Sequence, residues 1–428
     1  MLVRFKRPKA LSQLLGAFCF ALISLSSHTS AKAISFIRDT EIENTIRVYS
    51  SPIFEAAGLN IADIQIHIVN DPALNAFVAA GQRLFINTGL LMRAEHAGQV
   101  IGVIAHETGH ISGGHLVRLH ERLRGSTAKT VLTTLFQGVA ASYTRSMEQS
   151  ADQAAVSFLD EAGYSARGLA EFLDMLSKQE ALLTGSQDVY LRSHPLTRDR
   201  IKFMNDHVAN SAVSDKPLPI HVQQAHDRMR AKLKGFINPP ARTLREYKVD
   251  DPSFSARYAR AIAFKKLHRI DESLALIDGL IAEAPNDPFL YELKGDVLQD
   301  ADRIRESIPP YEKALEILPW AALIRINLAQ SQLESKDPAL ADAALENLLE
   351  AVRYEPEIQL LWRLLATAYA RFDDNANVML ALAEEALLAG KQSEAQQRAT
   401  RALEMLPEGS ASWRRAQDIQ NVAKNIKN

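Results

Sequence analysis

Cysteine is almost absent: Cys19 is the only one in 428 residues, which excludes an intramolecular disulfide and any zinc cluster built on thiolates. A metal site in this chain has to be made of histidines and carboxylates. An excess of either charge is missing too. The 49 Lys and Arg stand against 51 Asp and Glu, a net charge of −2, so no global positive field attracts phosphates, and nucleic acid is excluded as a partner class. Beyond residue 33 no run is both long and apolar enough to span a bilayer; the nearest, residues 127–141, is short and carries Lys129 and Gln137. What remains, 47% hydrophobic and 23% charged, is the composition of a soluble globular chain too long for one core, with two or three units expected.

The first 33 residues read as a secretory signal. Arg4, Lys6, Arg7 and Lys9 precede an apolar run from Leu14 to Leu25, and Ser-rich sequence then ends in Ala31-Lys32-Ala33, the charged, apolar and small-x-small order of a cleaved leader. Cys19 lies inside the run rather than at its end, unlike a lipidation site. Cleavage after Ala33 leaves a cysteine-free, mildly acidic mature chain suited to an oxidising compartment, and the expected location is the periplasm. Peripheral contact with a membrane surface is compatible with such a chain.

Residues 39–57 have helical apolar spacing, and Ile64, Ile66 and Ile68 alternate as in a half-buried strand. Asn75–Ala79 and Leu84–Asn87 flank Ala80-Gly81-Gln82-Arg83 as a hairpin. Helix returns at about Ala94 and persists to Gly235, an α+β arrangement of a small sheet leading into helices. Pro239-Pro240 and Asp251-Pro252 mark a linker over residues 236–252. Beyond it, Pro285 and Pro319 lie 34 residues apart, and Ala261, Gly295 and Ala329 fall in the same register, as do Ser273 and Ser307, Ile277 and Tyr311, and Leu280 and Ala314. That period and pattern are those of tetratricopeptide repeats, all-α helix pairs stacked into a solenoid whose concave face holds a peptide or partner. An insertion near residues 335–339 sets Pro356 37 residues on, and Pro407 follows after one and a half repeats, with Ala395, Ala399 and Ala402 fitting a second helix. The expected units are therefore the leader (1–33), a catalytic domain (34–235), the linker (236–252) and the repeats (253–428).

The chemistry is concentrated in His106-Glu107-Thr108-Gly109-His110, which closes an apolar helical run. Histidines at i and i+4 share a helix face and can converge on one Zn²⁺, while the glutamate beside them can take a proton from water. A third ligand is needed. Position 116 is Leu, so the H-E-x-x-H-x-x-G-x-x-H pattern fails, and His115 is about 140° round an ideal helix from His110, pointing away. A carboxylate from a later helix is the alternative. Glu148 fits, because Asp152 one turn on can fix the tautomer of a ligating histidine; Glu121 and Glu161 lack such a companion.

H-E-x-x-H followed by Glu-x-x-Ala-Asp resembles the M48 family of zinc metallopeptidases. Asn75-Ala76-Phe77 and Thr88-Gly89-Leu90-Leu91 are similar to that family's strand pair before the active helix, and Ser193-His194-Pro195 with Arg200 to its H-P-x-x-x-x-R element. The resemblance covers residues 39–235. It implies a zincin-type α+β fold, one zinc ion per chain on His106, His110 and Glu148, Asp152 behind them, and Glu107 as general base. Arg200 or His194 is then the donor to the oxyanion; Arg200 is alternatively an ion-pair partner holding its helix, and His194 alternatively a regulatory fourth ligand. With a leader ahead and repeats behind, the chain is similar to the family's group devoted to outer-membrane β-barrel assembly. That implies unfolded or misassembled outer-membrane proteins as substrates and their assembly machinery as a partner. The rival expectation is a chaperone or adaptor acting through its repeats, with a latent or structural zinc site.

Overall fold

The computed structural model describes residues 35–79, 82–115, 143–182 and 189–425; the leader, the 127–141 run and Glu121 lie outside them. A mixed sheet comes first. Strands β1 (Phe36–Ile37), β2 (Gln65–Val69), β3 (Ala76–Ala79) and β4 (Arg83–Asn87) lie in the order β1-β2-β4-β3. The pairing β2–β4 is parallel, with Ile66 opposite Leu84, whereas β3–β4 is antiparallel, with Ala76 opposite Ile86, as the expected hairpin requires. Alternation sends Ile68, Leu84, Ile86, Ala76 and Val78 to the core side. β3 is the sheet's edge, but all four of its residues are buried.

Against this face pack helix α1 (Thr40–Ala56) and, after the short α2 (Thr88–Arg93), helix α3 (Ala97–Ser112). The Thr88–Leu91 segment, matched by resemblance to a strand, is helical. Its turn starts early because Gly89 lies against the Pro72 and Ala73 carbonyls, where a Cβ would stand only 2.2 and 2.3 Å away, and its N–H donates to Asp71 O. α3 is buried from Ala97 to His110, as a helix that is apolar on nearly every side must be. It packs on α4 (Arg145–Ala162) and α5 (Arg167–Leu182); α6 (Val189–Ser193), α7 (Arg198–Asn210) and α8 (Ile220–Ile237) complete this half.

Residues 236–252, expected as linker, hold the end of α8 and a seven-residue helix, α9 (Pro240–Glu246). Thr243 Oγ1 donates to Lys234 O at 3.0 Å. The repeats follow as α10 (Phe254–Lys266) with α11 (Ile270–Glu283), α12 (Pro288–Asp300) with α13 (Ile304–Ile317), α14 (Ala322–Glu334) with α15 (Ala341–Val352), and α16 (Gln359–Ala370) with α17 (Asn375–Leu388). α18 (Gln392–Met405) and α19 (Ala411–Asn425) close the array. The register residues explain the period. The Tyr311 ring covers Gly295, where a Cβ would meet it at 2.6 Å, and Ser273 Oγ donates to Ala261 O at 2.8 Å. A 3₁₀ turn over Pro338–Leu340 takes up the insertion. α17 packs against both α16 and α18, the half-repeat read from Pro407.

The two halves meet: residues 36–428 form one unit, with α8 packed on α1 and on α10. No described helix is long and apolar enough to cross a membrane.

Candidate metal centre

Four side chains from three places in the sequence meet in the core. One ligand atom from each of His106, His110, Glu148 and His194 lies within 4.8 Å of the other three, and all four residues are buried. α3 supplies the two histidines one turn apart, with Nε2 atoms 3.1 Å from each other. α4 supplies Glu148 in its first turn, after Thr144 caps the helix by accepting from Met147 N at 3.2 Å, so the carboxylate sits at the favourable, positive end of a helix dipole. Its oxygens stand 3.5 Å from His106 Nε2 and 3.4 Å from His110 Nε2. His194 follows α6, held by its N–H to Tyr190 O at 2.7 Å, and brings Nδ1 to 3.1 Å from Glu148.

This donor set fits a divalent ion. Bonds of about 2.0–2.1 Å at a tetrahedral centre place neighbouring ligand atoms about 3.3–3.4 Å apart, close to the spacings just given. Asp152 Oδ1 stands 2.9 Å from His106 Nδ1, a placement that puts the proton on Nδ1 and leaves Nε2 a bare lone pair. Charge agrees. Burial opposes ionisation of Glu148, but the charges of His194 and Arg200 outweigh it and hold the carboxyl well below its usual range. Burial likewise disfavours the His106 cation, yet Asp152 and Glu148 push its pKa up to about 9. For His110 burial wins and takes the pKa well below the ordinary imidazole value. The pocket therefore attracts positive charge, held on His106 as a proton, while His110 stays neutral.

Glu107 projects beside the candidate ligands. Neither of its oxygens has a hydrogen-bond partner among the described residues, His194 Nε2 is 3.5 Å from Oε1, and burial raises its pKa. A fully buried carboxyl without a partner is what a proton acceptor looks like before its substrate arrives.

Arg200, left between two roles by its sequence context, is engaged on every side. Its Nε and Nη2 donate to Asp152 at 2.6 and 2.9 Å, and Nη1 donates to Pro195 O at 3.0 Å and stands 2.6 Å from Glu148. The geometry is that of the ion-pair partner, not of an open donor to substrate. His115, expected to point away, is no ligand, yet it is buried with Nδ1 3.0 Å from His110 Nδ1. Helix arithmetic misplaced it because α3 ends at Ser112 and Gly114, at φ +62°, turns the chain back. Glu161 is exposed at the far end of α4. Two tyrosines that no motif marks also line the site. Tyr143 lies against His110 with ring centroids 3.8 Å apart, and Tyr190 stacks on His194 at 4.4 Å. The spacing of Tyr190, one turn before His194, was the only available signal.

The sequence profile of Peptidase family M48 matches residues 38–142 and 118–208. The beta-barrel assembly-enhancing protease of Yersinia pestis is 24% identical over 77% of this chain and 72% of its own length. The putative beta-barrel assembly-enhancing protease of Vibrio cholerae is 26% identical over 81% and 77%. Among solved structures, YrrB, a TPR protein with an unusual peptide-binding site, aligns to 41% of this chain and 91% of its own at 14% identity and a TM-score of 0.34.

Proposed function

We propose, from the premise that this chain is a metallopeptidase carrying a Peptidase family M48 domain, that it is a zinc-dependent endopeptidase of the periplasm. In this reading residues 1–33 are removed on export, residues 34–235 cleave, and residues 253–428 select substrates or dock the enzyme on a partner. The observation that carries the reading is the buried convergence of His106, His110 and Glu148 with an unpartnered Glu107 beside them. Zinc, when bound there, supplies a Lewis acid that makes water more acidic and polarises a carbonyl. Glu107 takes the proton of the attacking water and later returns it to the leaving amine. Asp152 and Arg200 fix the ligands. The relatives' names, taken with the repeats, support outer-membrane β-barrel proteins in unfolded or misassembled form as substrates, and their assembly machinery as the partner.

His194 supports a second element of the reading. Its ring is fully buried, it counts among the four candidate ligands, and it stands 3.5 Å from Glu107, where it occupies the space an attacking water needs. The resting enzyme is then latent until the Ser193–Pro195 segment moves. This favours, as the alternative function, a chaperone or adaptor whose peptidase is seldom used.

One experiment separates these readings: zinc content and digestion of an unfolded protein such as casein by the full chain, Glu107→Gln and His194→Ala. Glu107→Gln is expected to keep zinc and lose at least about 10³-fold in rate, more than a purely positional group contributes. His194→Ala is expected to gain about tenfold or more, since an open state under about 10% populated becomes the major one. A zinc-loaded Glu107→Gln chain that digests normally, or complements loss of the protein fully, leaves only the chaperone. A slower His194→Ala chain makes His194 a transition-state donor instead.

A further inference from the structure

The assignment of Arg200 leaves the developing oxyanion without a donor. Its guanidinium is committed to Asp152, Pro195 and Glu148. The His194 ring lies among the candidate ligands, and His115 is turned to the far nitrogen of His110. Two tyrosines line this core: Tyr190, whose ring stacks on His194, and Tyr143, whose ring lies over His110. Tyr143 is buried, its ring tilts 32° over His110 at 3.8 Å and lies 5.1 Å from the ring of His194. Its N–H donates to Ser193 O at 3.0 Å, tying it to the segment that carries His194. Burial, and after it the charges of Glu107 and Glu148, push the phenol's pKa well above its ordinary value, and its hydroxyl has no hydrogen-bond partner among the described residues. A buried hydroxyl left without a partner is unfavourable, and folding alone would favour phenylalanine there. Such a defect beside a reacting centre is where function is to be looked for.

We infer that the Tyr143 hydroxyl is the hydrogen-bond donor to the carbonyl oxygen of the scissile peptide as that oxygen becomes an anion. The inference rests on the peptidase reading. The oxygen of water bonds to the carbonyl carbon, its proton passes to Glu107, and the carbonyl π pair moves to the oxygen that accepts the Tyr143 O–H. When the C–N bond breaks, the pair returns to the carbonyl and the Glu107 proton goes to the amine. Tyr143 keeps its own proton throughout, as a phenol with an ordinary pKa of about 10 can at neutral pH. It is in this role a catalytic residue, whereas Arg200 is a positioning residue.

The test is Tyr143→Phe in the full chain and in the His194→Ala background, which keeps the ring over His110 and removes one oxygen. Four quantities are read: zinc content, the unfolding midpoint of the metal-free chain, kcat and KM on casein, and the dissociation constant of a phosphinic peptide, which carries tetrahedral anionic oxygens. The expected result is unchanged zinc, a midpoint no lower than that of the parent, KM within about threefold, and kcat lower by about 10²–10³-fold, the loss typical of one oxyanion donor. Phosphinate binding is expected to weaken by a comparable factor. An active parent with a Tyr143→Phe variant within about threefold of it overturns this inference alone. A variant that sheds zinc overturns it too, by making Tyr143 a support for His110. A zinc-loaded His194→Ala parent that cleaves nothing overturns the peptidase reading, and this inference with it.

Discussion

Asp152 shows how much one side chain can organise. One oxygen lies 2.9 Å from His106 Nδ1 and both accept from Arg200. Burial works against its charge, but His106 and Arg200 hold its pKa below the usual value, so it stays ionised at neutral pH. Asp152→Ala frees His106 to take the wrong tautomer and leaves the Arg200 cation buried beside Glu148 alone. Zinc affinity is expected to fall by about 10–100-fold, the usual effect of removing a ligand's outer partner, measured by competition with a chromophoric chelator. An unchanged affinity would mean that His106 is oriented by packing instead. Asp152 was legible because it lies one turn after Glu148 on one helix, where spacing translates directly into proximity. Tyr143 and His115 were not. Their approach to His110 depends on a left-handed glycine and on tertiary packing, neither of which a periodicity can encode.

The helices meet at the centre because small residues let them. A Cβ on Gly109 would stand 2.7 Å from the Ala151 carbonyl oxygen and 2.9 Å from its Cα, so α3 and α4 cross with backbones nearly touching, one turn from Glu148. Gly109→Ala on an exposed helix would stabilise by about 1 kcal/mol. Here the helices must separate, and overpacking of this kind destabilises by about 1–3 kcal/mol. The expected outcome is a lower urea midpoint and weaker zinc binding together; a raised midpoint would refute the close crossing. The motif's spacing revealed two candidate ligands, but the fourth position of H-E-x-x-H as a packing glycine emerges only from the crossing. In the repeats, by contrast, the 34-residue period was legible, because small residues at register positions sit against a neighbour, as Gly295 does against the Tyr311 ring and Ser273 against the Ala261 carbonyl. The turns were less so. His268, Asp302, Lys336 and Asp373 all take positive φ, near +55 to +59°, where glycine would have announced itself.

At the scale of the whole molecule, the half that holds the candidate metal centre and the repeats are joined by buried charge. Glu41 of α1 accepts from Tyr258 of α10 at 2.7 Å, stands 3.0 Å from Lys232 of α8, and pairs with Arg228. Arg228 also pairs with Asp287 and lies 5.0–5.6 Å from the rings of Phe254, Tyr258 and Phe289. Glu292 of α12 is near the same lysine, but only at 3.8 Å and with one oxygen lacking a hydrogen-bond partner. The two glutamates should therefore respond oppositely to neutralisation. Burial raises the pKa of Glu41, but Arg228 and Lys232 outweigh it and the net shift is down; its stabilisation is present above the unfolded value and lost as pH falls through the folded one. Burial of Glu292 prevails and raises its pKa well above the usual value, so its stability is greatest below the unfolded value and is lost as pH rises. Glu41→Gln is expected to destabilise by about 3–5 kcal/mol at pH 7, as for a broken buried pair, with the deficit shrinking as pH drops past 4.5, the ordinary glutamate value. Glu292→Gln is expected to be neutral or stabilising at pH 7, because it removes a carboxyl whose ionisation the interior disfavours. Urea titrations of both variants and the parent across that pH range read the two signs side by side. Equal losses for both at pH 7 would show that the junction needs each carboxylate ionised, and that Lys232 serves Glu292 as fully as it serves Glu41.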